Sequence, residues 1–305
     1  MLKKLLKTLL CCSILISGLV IGKINVKAEN DYSDYFNYPT IEYLNNLETM
    51  KERYEACNIS FETLSQLTDS QLIKAIEDYP YLLDIYMFST LEAGYKVLRE
   101  RFNGIIELEN RNIEYTNDMS IAMQNLMSLR KETSISLLSI APDDLGGGGS
   151  GSVTAVYTPN GYAVTVYIHN TELTSAEINE LDNYVRNNYP NAVLLRSATR
   201  KYNCHSYAWY STSSNNNYWM NDPKAYMQYG AYTQRTSTSS ISNLDKVFYN
   251  NGSLADNHSG IVYSSGSLDN IYIVSKWGKA GLVRHKIKYS PYNVNSNYGN
   301  ISFWY

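Results

Sequence analysis

The chain is short of cysteine. It has four in 305 residues, and two of them, Cys11 and Cys12, lie in an N-terminal apolar run. The remaining pair, Cys57 and Cys204, cannot build a disulfide scaffold, although one structural bridge between them stays open. No CxxC or HExxH spacing is present, which leaves no zinc signature, and no metal or organic cofactor is expected. A membrane-spanning run is missing as well. The longest apolar stretch, Thr8 to Gly22, has 15 residues, where a spanning helix needs about 20.

That short stretch has another meaning. Lys3, Lys4 and Lys7 precede it, and Val26-Lys27-Ala28 follows as a small-residue cleavage pattern. Together they read as a secretory signal peptide over residues 1–28, with no membrane anchor once it is removed. Cys11 and Cys12 follow Leu9-Leu10 and not a small residue, which argues against a lipoprotein anchor. The remaining chain holds 21 basic and 29 acidic residues, a net charge of −8. It is expected to be extracellular or associated with a cell wall. The 29 tyrosines suit core and β-surface filling, or stacking against sugars and peptides.

Residues 29–142 read as a helical domain. In "PTIEYLNNLETMKERYEA", Ile41, Leu44, Leu47, Met50 and Tyr54 recur at steps of three or four, one helical face. Thr68 with Gln71 and Ser89 with Glu92 have the spacing of capping boxes, with Pro80 between the helices they open. A last helix is expected through Met119, Met123, Leu126 and Arg130. Residues 143–152, "DDLGGGGSGS", form a flexible tether by composition.

Residues 153–305 change character. Alternation around Pro159-Asn160-Gly161 predicts a hairpin, and Thr174 with Glu177 caps a helix bearing Ile178, Leu181 and Val185. "NAVLLRSA" reads as a short strand or extended arm, and the runs "DKVFYN", "HSGIVYS", "NIYIVSKW", "GLVRHKIKY" and "ISFWY" predict strands of an antiparallel sheet. The fold class is α+β. Charge divides at the same boundary, −12 over residues 29–145 and +4 over residues 146–305. This suggests that the acidic helical unit docks on the basic unit as a guard.

The chemistry centres on "KYNCHSYAWY", residues 201–210. A cysteine at a helix start is a suitable nucleophile, because unpaired N–H groups there favour the thiolate and can receive an oxyanion. Adjacent residues on a helix diverge by about 100°, so His205 cannot serve as the base for Cys204 and reads as an ordinary polar residue. His258, opening "HSGIVYS", is the candidate base. If "WGKAG" closes a hairpin pairing Ser275 with Val283, Ile273 pairs with His285, and Ser275 and His285 share a face.

Three ordered blocks, "YNCHSYAW", "DKVFYN" and "HSGIVYS", resemble the NlpC-type and CHAP-type cell-wall cysteine hydrolases of the papain-like superfamily, over roughly residues 190–290. The resemblance implies a papain-like domain in which a helix bearing the cysteine packs on an antiparallel sheet. It further implies Cys204 as nucleophile and His258 as general acid and base. A third residue would orient the imidazole, His285 or its rival Ser275. Asn203 stands where NlpC-type enzymes commonly have Asp. Tyr202 and Trp277 flank the cleft blocks and are candidate substrate contacts.

The expected function is a secreted cysteine peptidase or amidase acting on cell-wall peptide, with no role for nucleic acid. Two alternatives stay open. One is a transacylase or deamidase effector using the same Cys-His pair. The other is a non-catalytic Tyr-rich module that binds wall or glycan.

Overall fold

The computed structural model describes residues 31–111, 113, 122–124, 151–251, 257–292 and 300–305. The expected signal peptide, residues 143–150 of the tether, and most of the expected helix around Met119 to Arg130 lie outside the described residues. Among the described residues, no helix is long and apolar enough to cross a membrane. The architecture is α+β, with helices packed around antiparallel sheets.

The helical part comprises α1 (Ile41–Asn45), α2 (Met50–Ala56), α3 (Phe61–Gln66), α4 (Asp69–Glu77), a 3-10 turn (Leu82–Met87), α5 (Leu91–Arg101) and α6 (Asn103–Asn110). The single amphipathic helix expected over residues 41–56 is therefore two. Thr49 and Glu52 form a reciprocal capping box that starts α2 anew, satisfying N–H groups that a continuous helix would have paired internally. The Thr68–Gln71 box starts α4 as its spacing implies. The Ser89–Glu92 box does not form. Thr90 caps α5 by accepting from Ala93 N–H, and the buried Ser89 hydroxyl takes no part in the cap. The following helix breaks at Phe102, whose backbone is extended (φ −131°, ψ 113°) and whose ring stacks on Tyr79 at 4.0 Å.

The second part opens with a hairpin, β1 (Gly151–Tyr157) and β2 (Ala163–His169), turning through Gly161 at φ +85°. Gly151 and Ser152, expected in the tether, are instead its first two strand residues, paired with His169 and Ile168. Next come α7 (Ser175–Asn188), started by the Thr174–Glu177 box, β3 (Val193–Arg196) and a helical segment that begins at Cys204 and widens into a π turn over Ser206–Tyr210. After α8 (Lys224–Gln228) come β4 (Lys246–Tyr249), β5 (His258–Ser264), β6 (Tyr272–Lys276), β7 (Leu282–Lys286) and β8 (Ile301–Trp304). Six strands form one antiparallel sheet in the order β3-β7-β6-β5-β4-β8.

Strand alternation gives the sheet two apolar faces. Phe248, Ile261, Val274 and Leu282 pack under the Cys204 helix and the hairpin. On the other face, Val247, Tyr249, Val262 and Ile273 form a smaller core, while Trp277 and Val283 join the largest core. That core also takes in Leu44, Tyr54, Ile85, Leu98, Leu181 and Tyr189. It thus joins the helices α1–α6 to α7 and the sheet. Buried Asp84 fastens the joint, accepting from Tyr54, Tyr184 and Tyr189 hydroxyls at 2.9, 2.7 and 2.7 Å.

Candidate active site around Cys204

Asn203 builds the start of the Cys204 helix. Its Oδ1 accepts from Ser206 N–H and Met220 N–H, both at 3.2 Å, and its Nδ2 donates to the Met220 carbonyl at 2.6 Å. An aspartate could cap the helix but could not make that last bond, which explains the amide at this position. The cap leaves Cys204 in the first turn, as its sequence context predicts.

The sulfur reaches the sheet where two strands part. The β5–β6 ladder ends at Ile261–Val274, and two residues further on the Ser259 N–H is directed to Cys204 Sγ. The thiol is thus held against the peptide that joins His258 to Ser259. Ser259 is also gripped by its side chain, whose Oγ lies 2.8 Å from both His205 Nδ1 and Trp209 Nε1. His205 is therefore not a surface residue. It is fully buried and ties the Cys204 helix to the start of β5.

The environment of the thiol differs from the expectation of an activated thiolate. Burial pushes the Cys204 thiol up to about 11, and the N–H groups of Ser259 and His205, the Ser89 hydroxyl and Lys276 only partly offset this. A helix start favours the thiolate by a modest amount, and desolvation in a dry site outweighs it. Cys57, in the helical core, is likewise buried and pushed up to about 12 by burial. Both cysteines are free, so the bridge between them is absent.

His258 begins β5 and points away from Ser259, as neighbours on a strand do. Its ring lies flat on Tyr292, centroids 3.5 Å apart. It is completely buried, and neither ring nitrogen has a hydrogen-bond partner. Burial, followed by the nearby His285 and His205, holds it well below the usual imidazole range. The pair Cys204–His258 is therefore uncharged and unjoined here.

The β6–β7 register is the expected one, with Ile273 opposite His285 and Ser275 opposite Val283. Ser275 Oγ lies 2.9 Å from His285 Nε2 and accepts from Trp277 Nε1 at 3.0 Å. His285 Nδ1 lies 2.8 Å from the Lys286 carbonyl, which makes Nδ1 the protonated nitrogen and Nε2 the acceptor. With both nitrogens engaged, His285 has none left for His258. The orienting role expected of His285 or Ser275 is replaced by a closed Trp277–Ser275–His285 chain. Burial lowers His285 to about 4.

The expected substrate contacts are also placed differently. Trp277 is fully buried among Tyr189, His285 and Tyr292. Tyr202 is buried as well, beneath the Lys276 ammonium and beside Tyr207. Lys276 itself donates to the carbonyls of Thr199, Gly278 and Ala280 at 2.9, 2.7 and 2.5 Å, and burial lowers it to about 7. Among the described residues, no group of three or more His, Cys, Asp or Glu could hold a metal ion.

Two neighbours of the thiol were not legible in the local sequence, Ser89 and Tyr292, whereas Lys276 lies in the strand "NIYIVSKWG" beside Ser275. Ser259 was legible, because it sits inside the "HSGIVYS" block. Comparison of the chain with protein-family models, curated proteins and solved structures found no match.

Proposed function

We propose that the chain is an exported thiol hydrolase of papain-like kind, cleaving an amide or peptide bond in bacterial cell-wall peptide. One observation carries the reading: a thiol at a helix start is held against the first peptide of β5, and the histidine of that peptide is buried with both ring nitrogens unpartnered. An unpaired buried imidazole is costly. Beside a thiol, it is what a general base awaiting its partner requires.

In this reading His258 turns from Tyr292 toward the sulfur and takes its proton. The sulfur adds to the substrate carbonyl, with the developing oxyanion received by the Cys204 N–H at the helix start. The C–N bond breaks as His258 returns the proton to the leaving amine. Water deprotonated by His258 then adds to the thioester, freeing the acid and the thiol. No metal or organic cofactor takes part. Burial of the thiol also favours a second reading, transfer of the acyl group to an amine in a site that excludes water.

The test is digestion of purified peptidoglycan with the chain lacking residues 1–28, compared with its Cys204→Ala form, followed by mass analysis of fragments. New amine and carboxyl termini that depend on Cys204 are expected, and crosslinked products would instead indicate transfer. No Cys204-dependent product from this substrate overturns the proposal.

A further inference from the structure

The segment Tyr86 to Thr90, from the last two residues of the 3-10 turn to the N-cap of α5, lies directly over the candidate site. Its backbone is extended at Phe88 (φ −97°, ψ 169°) and at Thr90 (φ −134°, ψ 161°). Three of its carbonyls are taken by donors from the other part of the chain. Tyr86 O accepts from Lys279 N–H at 2.8 Å and Ser89 O accepts from Trp219 Nε1 at 3.0 Å. Met87 O accepts from the Tyr292 hydroxyl.

The side chains complete the cover. The Phe88 ring meets the Tyr292 ring edge-on at 5.4 Å, and Tyr292 stacks on His258. The Ser89 hydroxyl is buried, has no hydrogen-bond partner and lies on the Cys204 side of the segment. Gly278, at φ +48°, lets the two backbones touch, since a Cβ there would overlap Tyr86 O and the Met87 backbone. Met87, Phe88, Ser89 and Thr90 are all buried.

We infer that residues 86–90 are a built-in pseudosubstrate. They occupy the place of a peptide that is turned at Tyr86 and Met87 and extended from Phe88, whose carbonyls the site reads through Lys279 N–H, the Tyr292 hydroxyl and Trp219 Nε1–H. The inference rests on the thiol-hydrolase reading and adds to it the class of ligand and the means of control. The segment is not cleaved because it presents a side-chain hydroxyl to the sulfur and not a carbonyl carbon. Its presence dries the site, which is what keeps the thiol protonated and the imidazole neutral. Because the helices share a core with the sheet, opening is a local displacement of this segment and not departure of the helical part.

The experiment is alkylation by iodoacetamide at pH 7.5, read by peptide mass mapping of the full chain lacking residues 1–28. Cys57, buried in the helical core, is an internal gauge of intact folding. Wild type should label slowly at both cysteines. Phe88→Ala should label Cys204 faster by about tenfold or more while Cys57 stays protected. A synthetic peptide of residues 84–92 should then slow Cys204 labelling, and a scrambled peptide should not. Trp219→Phe, which removes the donor to Ser89 O together with part of a buried ring, serves if Phe88→Ala exposes Cys57. It should give the same effect at about threefold. Unchanged Cys204 labelling in the folded variants, or equal protection by the scrambled peptide, overturns the inference. Alkylation reads occupancy without turnover, so this failure is distinct from a failure to cleave peptidoglycan.

Discussion

The imidazole of His258 lies parallel to the ring of Tyr292, at 3.5 Å and 7° between planes, with no hydrogen bond to either ring nitrogen. Such a histidine is held neutral because burial desolvates its cation and no protein acceptor meets either nitrogen. Its titration should therefore be absent near the ordinary value of about 6.5. In Tyr292→Ala the ring loses its cover, and the His258 C2 proton should titrate close to that ordinary value in an NMR pH series. A wild-type His258 that titrates normally would remove the case for a dry resting state.

Ser275 and His285 are joined in a buried chain with Trp277, and the effect expected of breaking it is on stability. Ser275→Ala leaves Trp277 Nε1–H and His285 Nε2 buried without the partner they share. Loss of such a bond costs about 2 kcal/mol, which urea denaturation should show. Cys204 labelling at matched temperature should stay within about twofold of wild type if the fold holds. A large change in labelling with no loss of stability would return Ser275 to the catalytic group.

Much of this arrangement could be read locally, and the rest could not for a definite reason. The Thr174–Glu177 box, the turn at Gly161 and the pairing of Ile273 with His285 all follow from short spacings. The start of a helix at Cys204 is equally local. The Ser89–Glu92 spacing misled because the Ser89 hydroxyl is drawn to a sulfur 115 positions away in the chain. Trp277 and Tyr202 resembled cleft residues because their neighbours in sequence line the site, while the core that covers them comes from elsewhere. The contacts of residues 86–90 with Trp219, Lys279 and Tyr292 have no period and leave no local signature. The Thr49–Glu52 box was present in the sequence, but a continuous apolar stripe masked it.

The charge difference between the two halves suggested electrostatic docking, but the contacts that cross the boundary are of another kind. Arg53 Nη1 donates to the Tyr289 hydroxyl at 2.9 Å, Arg101 Nη2 donates to the Pro291 carbonyl at 2.6 Å, Asp84 accepts from Tyr184 and Tyr189, the carbonyls of Tyr86, Met87 and Ser89 accept from Lys279, Tyr292 and Trp219, and a shared apolar core surrounds these bonds. At 1 M salt the screening length falls to about 3 Å, which weakens exposed pairs and leaves buried contacts intact. Cys204 labelling should therefore change by less than about twofold between 0.1 and 1 M sodium chloride. A steep rise with salt would show that surface charge holds the cover in place.

Asp84 gives the joint a pH dependence of definite sign. Its carboxyl is fully buried, and burial raises it above the usual carboxylate value despite Arg101 and three tyrosine hydroxyls. The folded chain therefore holds this proton at pH values where the unfolded chain has released it. Stability from this group is full below the ordinary carboxylate value and is lost as pH rises through the raised folded value. Asp84→Asn cannot titrate, and subtracting its unfolding free energy from that of wild type cancels the other ionisable groups. The wild-type advantage should fall with rising pH, at a slope no steeper than about 1.4 kcal/mol per pH unit, and then level off. Urea denaturation of both forms from pH 4 to pH 8 measures it. A difference that grows with pH would mean that Arg101 and the hydroxyls outweigh burial and that Asp84 binds as a stabilised carboxylate.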